Sequence, residues 1–117
     1  MPRPPLRVLF ICGKNRQRSP TAEQVFADWP GIEVASAGLG EDADEPLGAD
    51  LLRWAELIFV MEKAHRTRLN RRFRSHLGHA RVVCLDIADD YAFMAPALVE
   101  LLRARVPRHL PRGGLEH

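Results

Sequence analysis

The apolar run Leu6 to Ile11 ends at Cys12, and the chain then passes through Gly13-Lys14-Asn15-Arg16-Gln17-Arg18 to Ser19-Pro20 and a helical pattern. A short run that is apolar except for Arg7 reads as a buried central strand of a parallel sheet. Pro20 suits the first turn of a helix, where its missing N–H is harmless. The stretch between is therefore a strand-to-helix turn. Such a turn aims several backbone N–H groups at one point, and the helix dipole adds positive potential there, which makes an oxyanion site. The thiolate is the reactive form of cysteine, and a positive setting favours it at Cys12. Arg18 offers a planar fork matched to two phosphate-like oxygens. Nucleophile and clamp face the same anion.

The rest of the chain repeats the strand–helix alternation. Ile32 to Ala35, Leu57 to Met61 and Arg81 to Leu85 read as further strands. A helix is expected from Pro20 to Trp29, with Ala22, Val25, Phe26 and Trp29 on its buried face, stopped by Pro30-Gly31. A short helix fits near Leu47 to Trp54. Longer ones are expected over Glu62 to Phe73 and over Met94 to Val106, the last with Leu98, Leu101 and Leu102 as its stripe and Pro107 as its stop. The expectation is an α/β fold, a three-layer sandwich with a four-stranded parallel sheet flanked by helices. Ligands bind such sheets at the carboxyl ends of the strands. With 117 residues the chain makes one domain, residues 1–114, and the ending Leu115-Glu116-His117 resembles the start of an expression tag. Arg108 to Gly114 reads as a loose basic tail.

Composition narrows the function. A net charge of +2 is too small to argue for nucleic acid, and no apolar stretch approaches a membrane span. Two cysteines make no disulfide framework, so a reducing cytoplasm is expected. Glu41, Asp42, Asp44 and Glu45 lack the spacing of a calcium loop and read as a solvated segment; no metal and no cofactor is expected. Lys63, Arg66, Arg68, Arg71, Arg72 and Arg74 read as a solvated basic face, with His65 near the packed side and given no chemistry. Cys84 reads as a core residue, with a resolving thiol for Cys12 as its other reading.

The Cys-x5-Arg-Ser loop close to the start, with Asn inside it, resembles that of the low-molecular-weight protein tyrosine phosphatases and their arsenate-reductase relatives. Ser36-Ala37-Gly38 matches the turn that family has after its second strand. Trp54-Ala55-Glu56 and Met61-Glu62 echo its Asp-Leu-Ile and Met-Asp signature, with Glu in both acidic places. The resemblance implies that Cys12 is the nucleophile of a phosphocysteine intermediate and that Arg18 holds the phosphate oxygens. It implies that Asn15 fixes the loop backbone and that Ser19 hydrogen-bonds the sulfur. Gly13, Lys14, Asn15, Arg16, Gln17, Arg18 and Ser19 form the phosphate-binding loop, where inorganic phosphate or sulfate would also sit. Two departures stand out. Gln17 replaces the second cysteine of many relatives, and the segment after Gly38 is shorter than the family's substrate rim.

Phosphocysteine chemistry needs an acid for the leaving group and then a base for water. The family places that acid in Asp-Pro-aromatic after its fourth strand. Asp89-Asp90-Tyr91 is the matching stretch, so Asp89 aligns with the acid, Asp90 is the alternative and Tyr91 lines the pocket rim. The resemblance thus implies a metal-independent phosphomonoester hydrolase, a protein tyrosine phosphatase acting on a phosphotyrosine protein or a small phosphomonoester. Two alternatives stay open: an arsenate reductase-like enzyme, and a non-catalytic phosphate-binding module.

Overall fold

The structure, a computed structural model, describes residues 4–13, 16–40, 43, 45–78 and 80–111. Four strands, β1 (Leu6–Cys12), β2 (Ile32–Gly38), β3 (Leu57–Val60) and β4 (Arg81–Cys84), form one parallel sheet in the order β2-β1-β3-β4. Helices α1 (Arg18–Phe26), α2 (Ala49–Trp54), α3 (Lys63–Phe73) and α4 (Pro96–Arg105) connect and follow them. The three-layer α/β expectation holds.

The central strand explains the layering. β1 is buried on both sides, and its residues alternate between two cores. Val8, Phe10 and Cys12 face one cluster with Ala22 and Phe26 of α1 and Leu98 and Leu102 of α4. Leu9 and Ile11 face the other, with Leu52 of α2 and Leu69 of α3. Phe10 sits between Phe26 and Phe59, with ring centroids at 6.0 and 5.2 Å. Truncating a buried Phe of this kind costs about 3–5 kcal/mol.

The strand order places the change of winding direction between β1 and β3. The crevice beyond their carboxyl ends is where such sheets take ligands. Backbone pairing continues past the strands on this edge. Leu39 N–H donates to the Cys12 carbonyl (2.9 Å) and Gly40 N–H to the Gly13 carbonyl (2.8 Å). On the other flank, Leu85 N–H donates to the Val60 carbonyl and Ile87 N–H to the Met61 carbonyl, both at 2.8 Å. Arg105 of α4 donates to the carbonyls of Leu85 (2.9 Å) and Asp86 (2.8 Å), tying down the start of the segment that carries Asp89.

Several boundaries differ from expectation. The first helix begins at Arg18 and ends at Phe26, so Trp29 lies beyond it, half-buried, with its indole N–H donated to the Pro111 carbonyl. Gly31 then turns the chain at φ +81°, a conformation costly for a residue with a Cβ. Ser36-Ala37-Gly38 is the end of β2 rather than a turn, because all three pair with β1. The last helix starts at Pro96, since Met94 stands at φ +60° and cannot be helical. Pro107 opens a 3₁₀ turn, and Leu110 is buried in the core, so the chain stays packed as far as Pro111 instead of leaving as a tail. In the acidic segment Ala43 and Leu47 are buried while Glu45 is exposed; Glu41, Asp42 and Asp44 lie outside the described residues, as do residues 112–117.

Candidate active site

Cys12 ends β1, so its position follows from the strand that the apolar run dictates. Its sulfur is buried and lies 2.9 Å from Ser19 Oγ. Ser19 belongs to the first turn of α1 and is wholly buried, so the hydroxyl is held beneath the sulfur by the helix itself. Arg18 opens α1 and turns its side chain back across the crevice. Its Nη1 donates to Glu62 Oε2 at 2.6 Å and to the Ile87 carbonyl at 2.7 Å, and its Nε is 3.7 Å from Asp89 Oδ1. The guanidinium is thus fixed from three directions although only about 5% of the side chain meets solvent.

These groups meet in one pocket of about 390 Å³, lined by Cys12, Gly13, Arg16, Gln17, Arg18, Glu62, His65 and Asp89. The structure therefore brings together the cysteine, the arginine and the first aspartate of the Asp89-Asp90-Tyr91 stretch. Lys14 and Asn15 lie outside the described residues. Asp90 is exposed and is not part of the lining. Tyr91 is half-buried and packs against the α1–α4 core.

Glu62 and His65 were not singled out from sequence as part of this site. Glu62 immediately precedes α3 and stands at the carboxyl end of β3, across from the loop of β1. The hydrogen bond from Arg18 holds its carboxyl below the ordinary carboxylate range. His65, one turn into the helix, is buried, and its Nδ1 accepts the backbone N–H of Glu62 at 3.3 Å. That bond leaves the proton of the neutral ring on Nε2, which faces the Glu62 carboxylate at 3.7 Å and the flank of Gly13. Burial, and then the neighbouring Arg18, push the imidazole below its usual pKa, so the ring is neutral near pH 7. The signal for both residues was present: Met61-Glu62 ends the strand that flanks the crevice, and only the strand order was missing.

Cys84 sits elsewhere. It is free, packs against the core opposite to that of Cys12, and belongs to β4, two strands away. Two strand spacings are about 9–10 Å, beyond the reach of a disulfide without backbone movement. Chemically, the pocket combines a thiol backed by a hydroxyl, a fixed guanidinium, a helix N-terminus and an exposed carboxylate at its mouth. Such a set accommodates a tetrahedral oxyanion with the sulfur directly behind it.

No protein-family model matches the chain, and no curated protein does. Solved structures do. The tyrosine phosphatase Wzb from Escherichia coli K30, in complex with phosphate, superposes with a TM-score of 0.72 at 22% identity, over 88% of this chain and 94% of that one. The YwlE arginine phosphatase from Geobacillus stearothermophilus gives 0.64 at 25% identity, over 86% and 83%. The Erwinia amylovora tyrosine phosphatase AmsI gives 0.63 at 26%, over 85% and 87%.

Proposed function

We propose that this chain, a low-molecular-weight phosphatase by its fold and by its nucleophile loop, is a cysteine-dependent phosphomonoester hydrolase working through a phosphocysteine intermediate. The observation that carries this reading is the convergence of Cys12, Arg18 and Asp89 on one pocket at the carboxyl edge of the sheet. The Cys12 sulfur attacks phosphorus in line with the leaving oxygen. The Arg18 guanidinium and the N–H groups at the start of α1 take the charge on the equatorial oxygens. Asp89, exposed at the mouth, donates a proton to the leaving oxygen and then takes one from the water that hydrolyses the phosphocysteine. Ser19 steadies the sulfur when it departs. Glu62 and His65 act through Arg18, keeping its fork turned toward the anion.

For the finer substrate class we infer a protein phosphatase acting on phosphotyrosine, which two of these three neighbours support by their own activity; the arginine phosphatase makes phosphoarginine the comparison substrate. Inorganic phosphate should compete for the loop. The placement of Cys84 favours hydrolysis over arsenate reduction, because Cys12 has no internal thiol in reach. A reducing cytoplasm suits a pocket built on a free cysteine, and among the described residues no helix is long and apolar enough to cross a membrane.

The test is trapping. Rapid quenching of the wild-type protein with an aryl phosphate should yield a phosphoryl adduct on Cys12 by mass spectrometry. Cys12→Ser should lose turnover by about 10⁴-fold or more. Substantial hydrolysis by a folded Cys12→Ser protein would overturn the covalent mechanism.

A further inference from the structure

Beside the nucleophile pocket lies a second, wider cleft of about 690 Å³, walled by Arg16, Pro20, Glu23, Glu45, Leu51 and Phe93 and crossing the outer edge of β2. Arg16 lines both cavities and so stands between them. Phe93 is 52% exposed, the largest such exposure of a bulky apolar side chain among the described residues.

Phe93 is held there deliberately. The next residue, Met94, adopts φ +60°, a left-handed conformation that strains a residue with a Cβ. Its N–H donates to Thr21 Oγ1 at 2.9 Å, and the Thr21 hydroxyl donates to the Gln17 carbonyl at 2.6 Å. A latch onto the first turns of α1 thus fixes the strained residue and keeps the aromatic ring over the cleft. The strained residue fixes where the exposed ring stands, and a ligand in the cleft would cover that ring. The same segment carries Asp89.

Charge identifies the occupant. Arg16 is shared with the pocket that holds Arg18, while Glu23 and Glu45 line the cleft alone, with the Ser36 hydroxyl donating to Glu23. The complement is an anion followed at short distance by a cation, seated between carboxylates and against an aromatic face. We infer that this cleft is a subsite for a basic side chain adjacent to the phosphorylated residue of a protein substrate, an inference that rests on the phosphatase reading above.

The experiment compares two phosphotyrosine peptides that differ only in having Arg or Glu beside the phosphorylated residue, with p-nitrophenyl phosphate as the flank-free reference. In the wild-type protein, kcat/KM for the Arg peptide should exceed that for the Glu peptide by about five- to tenfold, carried by KM. The ratio should fall toward one in Phe93→Ala and, separately, in the double variant Glu23→Gln, Glu45→Gln. Peptides that bind without turnover are read by their inhibition constants against the aryl phosphate, with the same ratio expected. A ratio near one in the wild type, or one that persists in both variants while the aryl phosphate is hydrolysed, overturns the subsite alone. Failure to hydrolyse the aryl phosphate and both peptides overturns the phosphatase reading and the subsite with it.

Discussion

Along the β1–α1 wall of the pocket, Cys12, Arg18 and Ser19 are almost entirely buried and tied to the sheet, to a helix and to Glu62. Across the mouth, the segment between β4 and α4 carries Asp89 and Asp90 out into solvent, without regular structure until Pro96. The contrast suits the proposed chemistry. A group that must meet the charge of a transition state is most effective when preorganised and dry. A group that exchanges protons with a leaving oxygen and then with water gains from standing where water can reach it.

That contrast predicts two kinds of failure. Arg18→Lys keeps the charge but loses the fork that reaches Glu62 and Ile87, so kcat should fall by about a hundredfold or more with every phosphomonoester. Steady-state kinetics with near-normal kcat would show that the buried wall is not the phosphate clamp. Asp89→Asn should fail conditionally instead. With phosphotyrosine the loss should reach about a hundredfold, the scale of general acid catalysis, while an activated aryl phosphate should lose only severalfold. Asp90→Asn should show neither pattern; equal losses for good and poor leaving groups in both variants would make this segment architecture rather than chemistry.

Two gentler changes probe the support behind Arg18. Glu62→Gln removes the charged partner but keeps an acceptor, and should cost roughly tenfold in kcat, the scale at which second-layer partners act. An unchanged kcat would mean that Ile87 and the helix alone orient the guanidinium. The smallest effect concerns pH. The folded-state pKa of His65 is lowered by burial and by Arg18, with Arg68 adding to the effect and Glu62 and Asp89 opposing it. Because it lies below the unfolded value, the group adds stability above about pH 6.5, and that contribution is lost as pH falls through the acid range. His109, also lowered by burial, acts in the same direction. Thermal melts should therefore show a shallower acid-side decline for His65→Gln than for wild type between about pH 7 and 5. Parallel declines would mean that His65 titrates normally.

Much of this was legible in the sequence because short apolar runs and one turn motif dictate it. Leu6 to Ile11 could only be a buried strand, and Cys12 had to follow it. What sequence could not supply was neighbourhood. Nothing local says that β3 lies beside β1, and so Glu62, read only as an echo of a motif, and His65, read as a packed face, were not joined to Arg18. Boundaries failed where a long-range contact decided them. Ser36 to Gly38 extend as strand because β1 pairs with them, and Leu110 is drawn into the core by a cluster built from distant residues. Met94 adopts its left-handed conformation where Thr21, far away in sequence, captures its N–H.

The contacts of α4 have a consequence for synthesis. As the chain leaves the ribosome, β1, its loop and α1 emerge first, and the segment bearing Asp89 follows. Until Arg105 arrives, the carbonyls of Leu85 and Asp86 lack the donor that α4 supplies, and the segment is held by its backbone bonds to Val60 and Met61 and by the bond from Met94 to Thr21. Until Leu98 and Leu102 dock, the core face behind Cys12 stays open to water. A nascent chain therefore leaves the Cys12 side of the core uncovered until α4 docks, in one cooperative step with the rest of the domain.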